Sequence, residues 1–285
     1  MGETDLRLVA LRLRGTKPPL YCVPGAGGDA LEFRILARYL TEDQPIFAVE
    51  PRGLDGGSPY LRSVEEMAKS YIDALRVHQP CGPYYLCGAS FGGIVAFEMA
   101  RDLSAQGEEV RFLGLFDSYG GEYPKHRKSL APRKRLKLAI LHFFPHARYI
   151  TFTFGWLKSG LKEHMKRWLV RRMIALDELM KFRALRCPFN LRFLYIREVC
   201  FAARRRYKLM PFPGRIDLFR AEHQPPSDLF EEDPLLGWSG MAAGGIEVHQ
   251  LPGDHFMLRE PVIATVVAAQ LGACLEQVEK GASER

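Results

Sequence analysis

The chain has 285 residues, and its hydrophobic (47%) and charged (26%) fractions are those of an ordinary globular protein, which excludes a largely disordered chain. The length suffices for one large α/β domain, and no uninterrupted apolar run of about 18 residues predicts a membrane-spanning helix. The six cysteines are scattered without a Cys-x-x-Cys pair, which argues against a metal site. The N-terminal residues lack the basic start and apolar core of a secretory signal, so we expect a cytoplasmic protein.

Apolar residues along the chain alternate between strand-like and helix-like spacing. Strands are predicted over seven segments, which are 6–13, 20–23, 45–49, 84–87, 110–116, 215–220 and 246–251. Helices are predicted over 30–40, from the Ser63-Val64-Glu65-Glu66 capping box to about residue 77, after Ser90 as far as Gly107, and over about 260–276. This alternation is typical of an α/β protein with a parallel sheet and helices on both faces.

A strongly basic segment interrupts the alternation. Between Gly121 and Met210 there are 23 Lys and Arg residues against 5 Asp and Glu, whereas the rest of the chain is acidic. The pattern of this segment is mostly helical, with apolar stretches at 136–144 and 156–161. We therefore predict a single domain, 1–285, that carries a helical insertion at 121–210 of the kind that forms a lid.

The segment Gly88-Ala89-Ser90-Phe91-Gly92 fits the Gly-x-Ser-x-Gly pattern of a nucleophile elbow. In such an elbow the serine occupies a strained strand-to-helix turn, where a Cβ two residues to either side would crowd the backbone. The pentapeptide alone is a weak signal, but here it lies between a predicted strand and a predicted helix, as the motif requires. Ser90 is therefore the predicted nucleophile.

A serine hydroxyl needs a base to remove its proton, and histidine is the usual one. Of the eight histidines, His255 lies in the loop after the last predicted strand, within Gly253-Asp254-His255-Phe256. The order serine, acid, histidine along the chain is that of α/β-hydrolases, so His255 is the predicted base. His249 lies inside the strand, where we expect a structural role.

The acid that would orient this histidine has several candidates. Asp117 ends the strand after the elbow helix, so it would project from the same edge of the sheet as Ser90. Most α/β-hydrolases take the acid from the following strand, after which Glu222 and Asp228 are candidates. Asp254 is expected to shape its loop. The residue pattern alone leaves the choice open.

The glycine-rich segment Pro24-Gly25-Ala26-Gly27-Gly28 follows the second predicted strand. Its glycines would let the main chain approach a substrate oxygen, so we predict an oxyanion hole formed by the backbone N–H groups of Ala26 and Phe91. A phosphate-binding role for these glycines is excluded, because neither Gly-x-Gly-x-x-Gly nor Gly-x-x-x-x-Gly-Lys-Ser/Thr is present.

The sequence resembles the type I thioesterase domains that end non-ribosomal peptide and polyketide synthases, which act in natural product biosynthesis. The resemblance covers essentially the whole chain, although the insertion matches only in length and helical character. Ala89 departs from the family, since many relatives carry His or Tyr at this position. The matching stretches are 23–28, 85–100 (Tyr-Leu-Cys-Gly-Ala-Ser-Phe-Gly-Gly-Ile-Val-Ala-Phe-Glu-Met-Ala), Phe116-Asp117, 207–221 and 251–256.

The resemblance implies the α/β-hydrolase fold, a catalytic set of Ser90, Asp117 and His255, and oxyanion donors at Ala26 and Phe91. It implies an acyl, peptidyl or polyketide thioester as substrate, presented on the phosphopantetheine arm of a carrier protein, and no cofactor of the chain's own. Ser90 would take up the acyl chain, and water or a nucleophile within that chain would then release it as a free acid or a macrocycle.

Three alternatives stay open. The first is a stand-alone editing thioesterase, the second is a carboxylesterase or lipase that acts on small esters, and the third is a binding module without catalysis. The basic insertion would cover a hydrophobic acyl chain and attract an acidic carrier protein, although a solvated helix face explains many of its charges. Binding to a membrane or to nucleic acid is not expected, because no nucleic-acid fold signature accompanies the charge.

Overall fold

A seven-stranded sheet forms the centre of the fold. The structure, a computed structural model, describes residues 7–51, 60–125, 165–175, 189–225 and 230–283. Its strands are β1 (Arg7–Arg12), β2 (Leu20–Val23), β3 (Ile46–Glu50), β4 (Tyr84–Ala89), β5 (Val110–Phe116), β6 (Ile216–Ala221) and β7 (Ile246–Leu251). The strand order is β1-β3-β2-β4-β5-β6-β7; β1 pairs antiparallel with β3, and the other pairs are parallel. The mostly parallel sheet of the prediction is confirmed.

The described residues include the helices α1 (Arg34–Tyr39), α2 (Val64–His78), α3 (Phe91–Ala105), α4 (Phe189–Arg206) and α5 (Pro261–Ser283). The predicted capping box starts α2, because Ser63 Oγ accepts a hydrogen bond from the Glu66 N–H while the Glu66 carboxylate accepts one from the Ser63 N–H. Gly107, with a φ of 83°, follows the end of α3. The predicted helix over 30–40 begins instead as a 3₁₀ turn at Ala30–Phe33.

The sheet is buried on both faces, which explains why its central strands are continuous apolar runs. One face packs beneath α2, α3 and α4, and the other packs beneath α1 and α5. Cys22 and Cys87 are register partners on β2 and β4, with their sulfur atoms 3.3 Å apart and fully buried. Both are free thiols, and buried free cysteines pack as small hydrophobic side chains.

The C-terminal helix α5 differs from the expectation that no segment is long and apolar enough to span a membrane. The segment Pro261–Ala282 has a mean hydropathy of 1.4 and is long and apolar enough to cross a membrane by length and composition. Isolated polar residues such as Gln270 interrupt its apolar runs, which is why the sequence criterion missed it. In the fold, Val267, Leu271 and Leu275 of this helix are buried in the core against α1 and the sheet. A core helix satisfies the same length and composition test.

At its described ends, 121–125 and 207–210, the basic insertion is not helical, but two other described parts of it are. These parts are residues 165–175 and α4, and Arg171 of the first pairs with the buried Glu198 of the second at 2.8 Å. After α4, Tyr207 donates a 2.5 Å hydrogen bond to Glu98 on α3, which fastens the end of the insertion to the elbow helix. The apolar stretches at 136–144 and 156–161 lie outside the described residues, so the lid stays a prediction.

Candidate active site

Ser90 lies at the sharp turn between β4 and α3. Its φ of 53° and ψ of −119° are values that non-glycine residues rarely adopt, and such strain is typical of a functional turn. A Cβ at Gly88 would overlap the carbonyl of Gly92, and a Cβ at Gly92 would overlap the carbonyl oxygens of Val23 and Pro24. The close approach of these backbones therefore requires both glycines of the pattern, as the sequence predicts.

Three side chains predicted to form the site meet in one chain of hydrogen bonds. Ser90 Oγ lies 2.8 Å from His255 Nε2, and His255 Nδ1 lies 2.7 Å from Asp117 Oδ2. The residues follow β4, β7 and β5, whose carboxyl ends lie at one edge of the sheet. Because Nδ1 faces a carboxylate, we assign its hydrogen to that bond, which leaves Nε2 free to accept the serine hydrogen. This arrangement can activate a serine for attack on an acyl group.

The Asp117 carboxylate is buried and receives donors on both oxygens. Oδ1 accepts hydrogen bonds from the Ala221 N–H at 3.1 Å and from Gln224 Nε2 at 2.6 Å. Oδ2, which faces His255, also accepts the hydroxyl hydrogen of Tyr119 at 3.1 Å. A buried carboxylate is costly unless its oxygens are paired, so these donors explain how the charge is held at 1% exposure.

Tyr119 and Gln224 are parts of the site that sequence reasoning missed. Burial raises the pKa of Tyr119, so its hydroxyl stays protonated and acts as a donor to Asp117. The only sequence signal for Tyr119 is its place two residues after Asp117. No sequence signal identifies Gln224, because its contact with Asp117 joins residues that are far apart in the chain.

Two of the other candidate acids, Glu222 and Asp254, are not in position to orient His255. Glu222 is exposed, and its backbone N–H bonds to the Leu251 carbonyl at 2.8 Å. Asp254 accepts a hydrogen bond from the Phe256 N–H at 2.8 Å, so it shapes its own loop as expected. The remaining candidate, Asp228, lies outside the described residues.

The two predicted oxyanion donors lie next to the nucleophile. Ala26 is in the loop after β2, where a Cβ at Gly25 would lie 3.7 Å from Ser90 Cβ, and Phe91 is the first residue of α3. Among the described residues, the N–H groups of Ala26 and Phe91 have no hydrogen-bond partner. Free N–H groups in a glycine-rich loop and at a helix start are suited to an oxyanion hole.

Glu32 connects this loop to the histidine loop. Its Oε2 accepts a hydrogen bond from the Gly25 N–H at 2.9 Å, and its Oε1 pairs with Arg259 at 3.1 Å. Arg259 follows His255 by four residues, so one carboxylate holds two segments that flank Ser90. The sequence analysis did not identify this contact, because nothing in the local pattern around Glu32 marks it.

A pocket with a volume of about 1280 Å³ opens above Ser90 and His255. Typical small-ligand pockets are about 300–1,000 Å³, so this one has room for a long chain. The Gly25-Ala26-Gly27 loop and α4 contribute to its walls. The aromatic side chains that line it include Phe193, Phe201, Phe230 and Phe256.

His249 belongs to a separate buried cluster with Asp217 and Cys274, whose ligand atoms lie within 4.8 Å of one another. His249 Nε2 lies 2.9 Å from Asp217 Oδ1, and this hydrogen bond, followed by the one with Cys274, raises the pKa of His249 to about 9. Arg215 also pairs with the Asp217 carboxylate at 2.8 Å. Because that carboxylate is already paired, the cluster fits a network that joins β6, β7 and α5 better than a metal site.

Two synthetases are similar to this chain in sequence. Malpibaldin synthetase of Mortierella alpina is 43% identical over 267 residues, which is 94% of this chain and 4% of that protein. Atromentin synthetase of Tapinella panuoides is 43% identical over 110 residues, which is 39% of this chain and 12% of that protein. The chain therefore spans only a small part of the length of these relatives.

Solved structures show the same architecture. A Vlm2 thioesterase domain with genetically encoded 2,3-diaminopropionic acid, bound with a dodecadepsipeptide, matches with a TM-score of 0.60 and 27% identity over 93% of this chain and 96% of that one. The fold is thus the α/β-hydrolase fold of thioesterases. The family model of the thioesterase domain matches residues 18–271, and the chain therefore belongs to the thioesterase domain family.

Proposed function

We propose that this chain is a serine thioesterase that releases an acyl, peptidyl or polyketide chain from the phosphopantetheine arm of a carrier protein. The observation that carries the proposal is the hydrogen-bonded chain Ser90–His255–Asp117, with links of 2.8 Å and 2.7 Å, at the bottom of a pocket in a member of the thioesterase domain family. The same arrangement recurs in unrelated serine hydrolases, where geometry defines the roles.

In the first step, His255 Nε2 takes the Ser90 hydroxyl hydrogen while Ser90 Oγ attacks the thioester carbonyl carbon. The carbonyl oxygen gains negative charge, and the N–H groups of Ala26 and Phe91 stabilise it. Asp117 holds the imidazole and stabilises its positive charge. The C–S bond then breaks, the carrier thiol leaves with the proton from His255, and an acyl-Ser90 ester remains.

In the second step, His255 removes a proton from the incoming nucleophile, which attacks the acyl-Ser90 carbonyl. Water gives a free acid, whereas a hydroxyl or amine within the acyl chain gives a macrocycle. Ser90 leaves with the proton that His255 took up. Both steps use only side chains and backbone N–H groups, so we propose that the chain needs no cofactor of its own.

The proposed partner is an acyl or peptidyl carrier protein. The sequence relatives are synthetases of which this chain covers only 4% and 12%, as expected of a domain that works beside others. The aromatic lining of the pocket, with Phe193 and Phe201 partly exposed, suits a hydrophobic acyl chain. We propose that the insertion at 121–210 acts as a lid over this chain.

The test compares an acyl N-acetylcysteamine thioester with the oxygen ester of the same acyl chain. We expect a higher kcat/KM for the thioester, and no turnover of either substrate by Ser90→Ala. Delivery of the same acyl chain on a carrier protein should raise kcat/KM further. A clear preference for the oxygen ester would instead identify a carboxylesterase or lipase.

A further inference from the structure

The pocket above Ser90 carries an excess of positive charge. Eight basic and three acidic side chains line it, so its formal charge is strongly positive. Two of the acids are already paired with lining arginines: Glu32 with Arg259 at 3.1 Å, and Glu198 with Arg171 at 2.8 Å. The three carboxylates therefore cannot neutralise the lining cations.

Three of these cations have no counter-charge among the residues that the structure describes. Within the part of the chain that the structure describes, the side chains of Arg167, Arg205 and Lys208 form no hydrogen bond or ion pair. The Nε atom of Arg167 is buried although it has no hydrogen-bond partner. Buried polar atoms are normally paired, so this nitrogen leaves Arg167 with a hydrogen-bonding capacity that no described residue satisfies.

Arg204 adds a further positive charge, which increases the electrostatic repulsion in this pocket when no anion is bound. Arg204 also lines the pocket, and its guanidinium donates to the carbonyl oxygens of Tyr119 and Tyr123 at 3.3 Å and 2.5 Å. Burial lowers the pKa of Arg204, which reflects the cost of holding this charge away from water. Like charges in a partly enclosed space repel one another, and an anion relieves that repulsion.

We propose that Arg167, Arg205 and Lys208 form an anion subsite in this pocket that binds a carboxylate or phosphate group of the thioester substrate. The inference rests on the proposed function, because the subsite shares its pocket with Ser90. Arginine binds both groups through two parallel hydrogen bonds, and lysine adds a point charge. The exposed aromatic rings of Phe193 and Phe201 on α4 would contact the apolar part of the same substrate.

The anionic group belongs either to the acyl chain or to the carrier arm, and two pairs of probes distinguish these two sources. The first pair is octanoyl-N-acetylcysteamine and the N-acetylcysteamine monothioester of suberic acid, which has the same chain length and ends in a carboxylate. The second pair is octanoyl-pantetheine and octanoyl-4′-phosphopantetheine, which differ only in the phosphate. The first pair tests an anionic acyl chain, and the second tests the carrier arm.

Binding is measured by titration calorimetry on the full chain carrying Ser90→Ala, so that no probe is consumed. At least one anionic probe should bind about tenfold more tightly than its neutral partner, as a hydrogen bond to a charged group permits. Tighter binding of the suberyl probe alone places the anion on the acyl chain, and tighter binding of the phosphorylated probe alone places it on the arm. Each of these results supports the subsite.

The preference must depend on the three cations. The double variant Arg205→Gln/Lys208→Gln changes two exposed positions, and it should bind both members of the preferred pair with the same dissociation constant. Arg167→Gln should have the same effect. The matched control is Arg38→Gln, an exposed arginine on α1 outside the pocket, which should keep the preference. Melting temperatures show that each variant is folded.

Equal binding of both members in both pairs would overturn the inference, and so would a preference that the pocket variants leave intact. This failure is distinct from failure of the proposed function. The preference for the anionic probe in calorimetry requires no catalysis, so it would persist in a chain in which Ser90 is catalytically inactive. Conversely, a chain that hydrolyses thioesters but ignores both anions would keep its proposed function and lose only the subsite.

Discussion

The ring of Tyr119 stacks on the imidazole of His255, with ring centroids 5.4 Å apart and an interplanar angle of 25°. The hydroxyl of the same side chain donates to Asp117 Oδ2 at 3.1 Å. One residue thus contacts both the proposed base and the proposed acid. The β5 strand ends at Phe116, so Asp117 and Tyr119 are placed by the same turn at the edge of the sheet.

Tyr119→Phe keeps the ring over His255 and removes the hydrogen bond to Asp117. We expect kcat to fall by about 3- to 10-fold with KM unchanged, because Asp117 loses one donor but keeps those of Ala221 and Gln224. Tyr119→Leu also removes the stacked ring and should lower kcat further. Tyr39→Phe, at an exposed tyrosine on α1, is the control. Equal kcat values in Tyr119→Phe and Tyr39→Phe would show that the Tyr119 hydroxyl does not position Asp117 for catalysis.

Asp117→Asn keeps the shape of the acid and removes its charge. We expect kcat to fall by about 10³- to 10⁴-fold, because the imidazole loses both its fixed orientation and the partner for its positive charge. Glu222→Gln, at the exposed alternative acid, should leave kcat within about twofold of the parent, as surface substitutions usually do. A large loss in Glu222→Gln and none in Asp117→Asn would reverse the assignment.

Glu32→Ala should displace the loop that carries Ala26. The substitution removes the acceptor of the Gly25 N–H and the partner of Arg259, so the proposed oxyanion donor is held less firmly. We expect kcat to fall by about tenfold or more, because misplacement of a catalytic group by a fraction of an ångström is costly. Steady-state kinetics with Glu42→Ala, at an exposed glutamate, is the comparison. Unchanged kcat in Glu32→Ala would show that the loop holds its position alone.

The raised pKa of His249 predicts a pH-dependent stability. A histidine whose pKa is raised from 6.5 to about 9 by folding binds its proton more tightly in the folded state. The contribution of His249 to the free energy of unfolding is therefore complete below pH 6.5 and is lost as the pH rises through 9. The difference in melting temperature between the parent and His249→Gln should be largest at the acidic end of this range. Asp217→Asn removes the hydrogen-bond partner of His249 and should also flatten the pH dependence of stability. A difference in melting temperature that stays constant with pH would contradict this interpretation.

The sequence was sufficient to predict the elements that depend on local pattern. The buried strands carry continuous apolar runs, Ser63 and Glu66 form their capping box, and the glycines beside Ser90 allow the elbow. His255 was identifiable because its loop follows the last strand. These features are encoded within a few residues of one another, which is why pattern alone reveals them.

The parts that the sequence could not reveal depend on contacts between distant segments. Gln224 and Tyr119 meet at Asp117, and Glu32 joins Gly25 to Arg259, only after the sheet has brought the loops together. The excess charge of the insertion was visible as composition. Only the fold shows that part of that charge lines the pocket above the proposed nucleophile.

The central claim is that Ser90 forms a covalent acyl intermediate, and intact-protein mass spectrometry tests it most directly. The parent chain and Ser90→Ala are each incubated with an acyl N-acetylcysteamine thioester and with a fluorophosphonate, and labelled peptides are mapped. The account predicts an added acyl or phosphonyl mass on the parent at Ser90 and none on Ser90→Ala. Labelling of another residue, or a parent chain that neither probe labels and that releases no free acid, would contradict it.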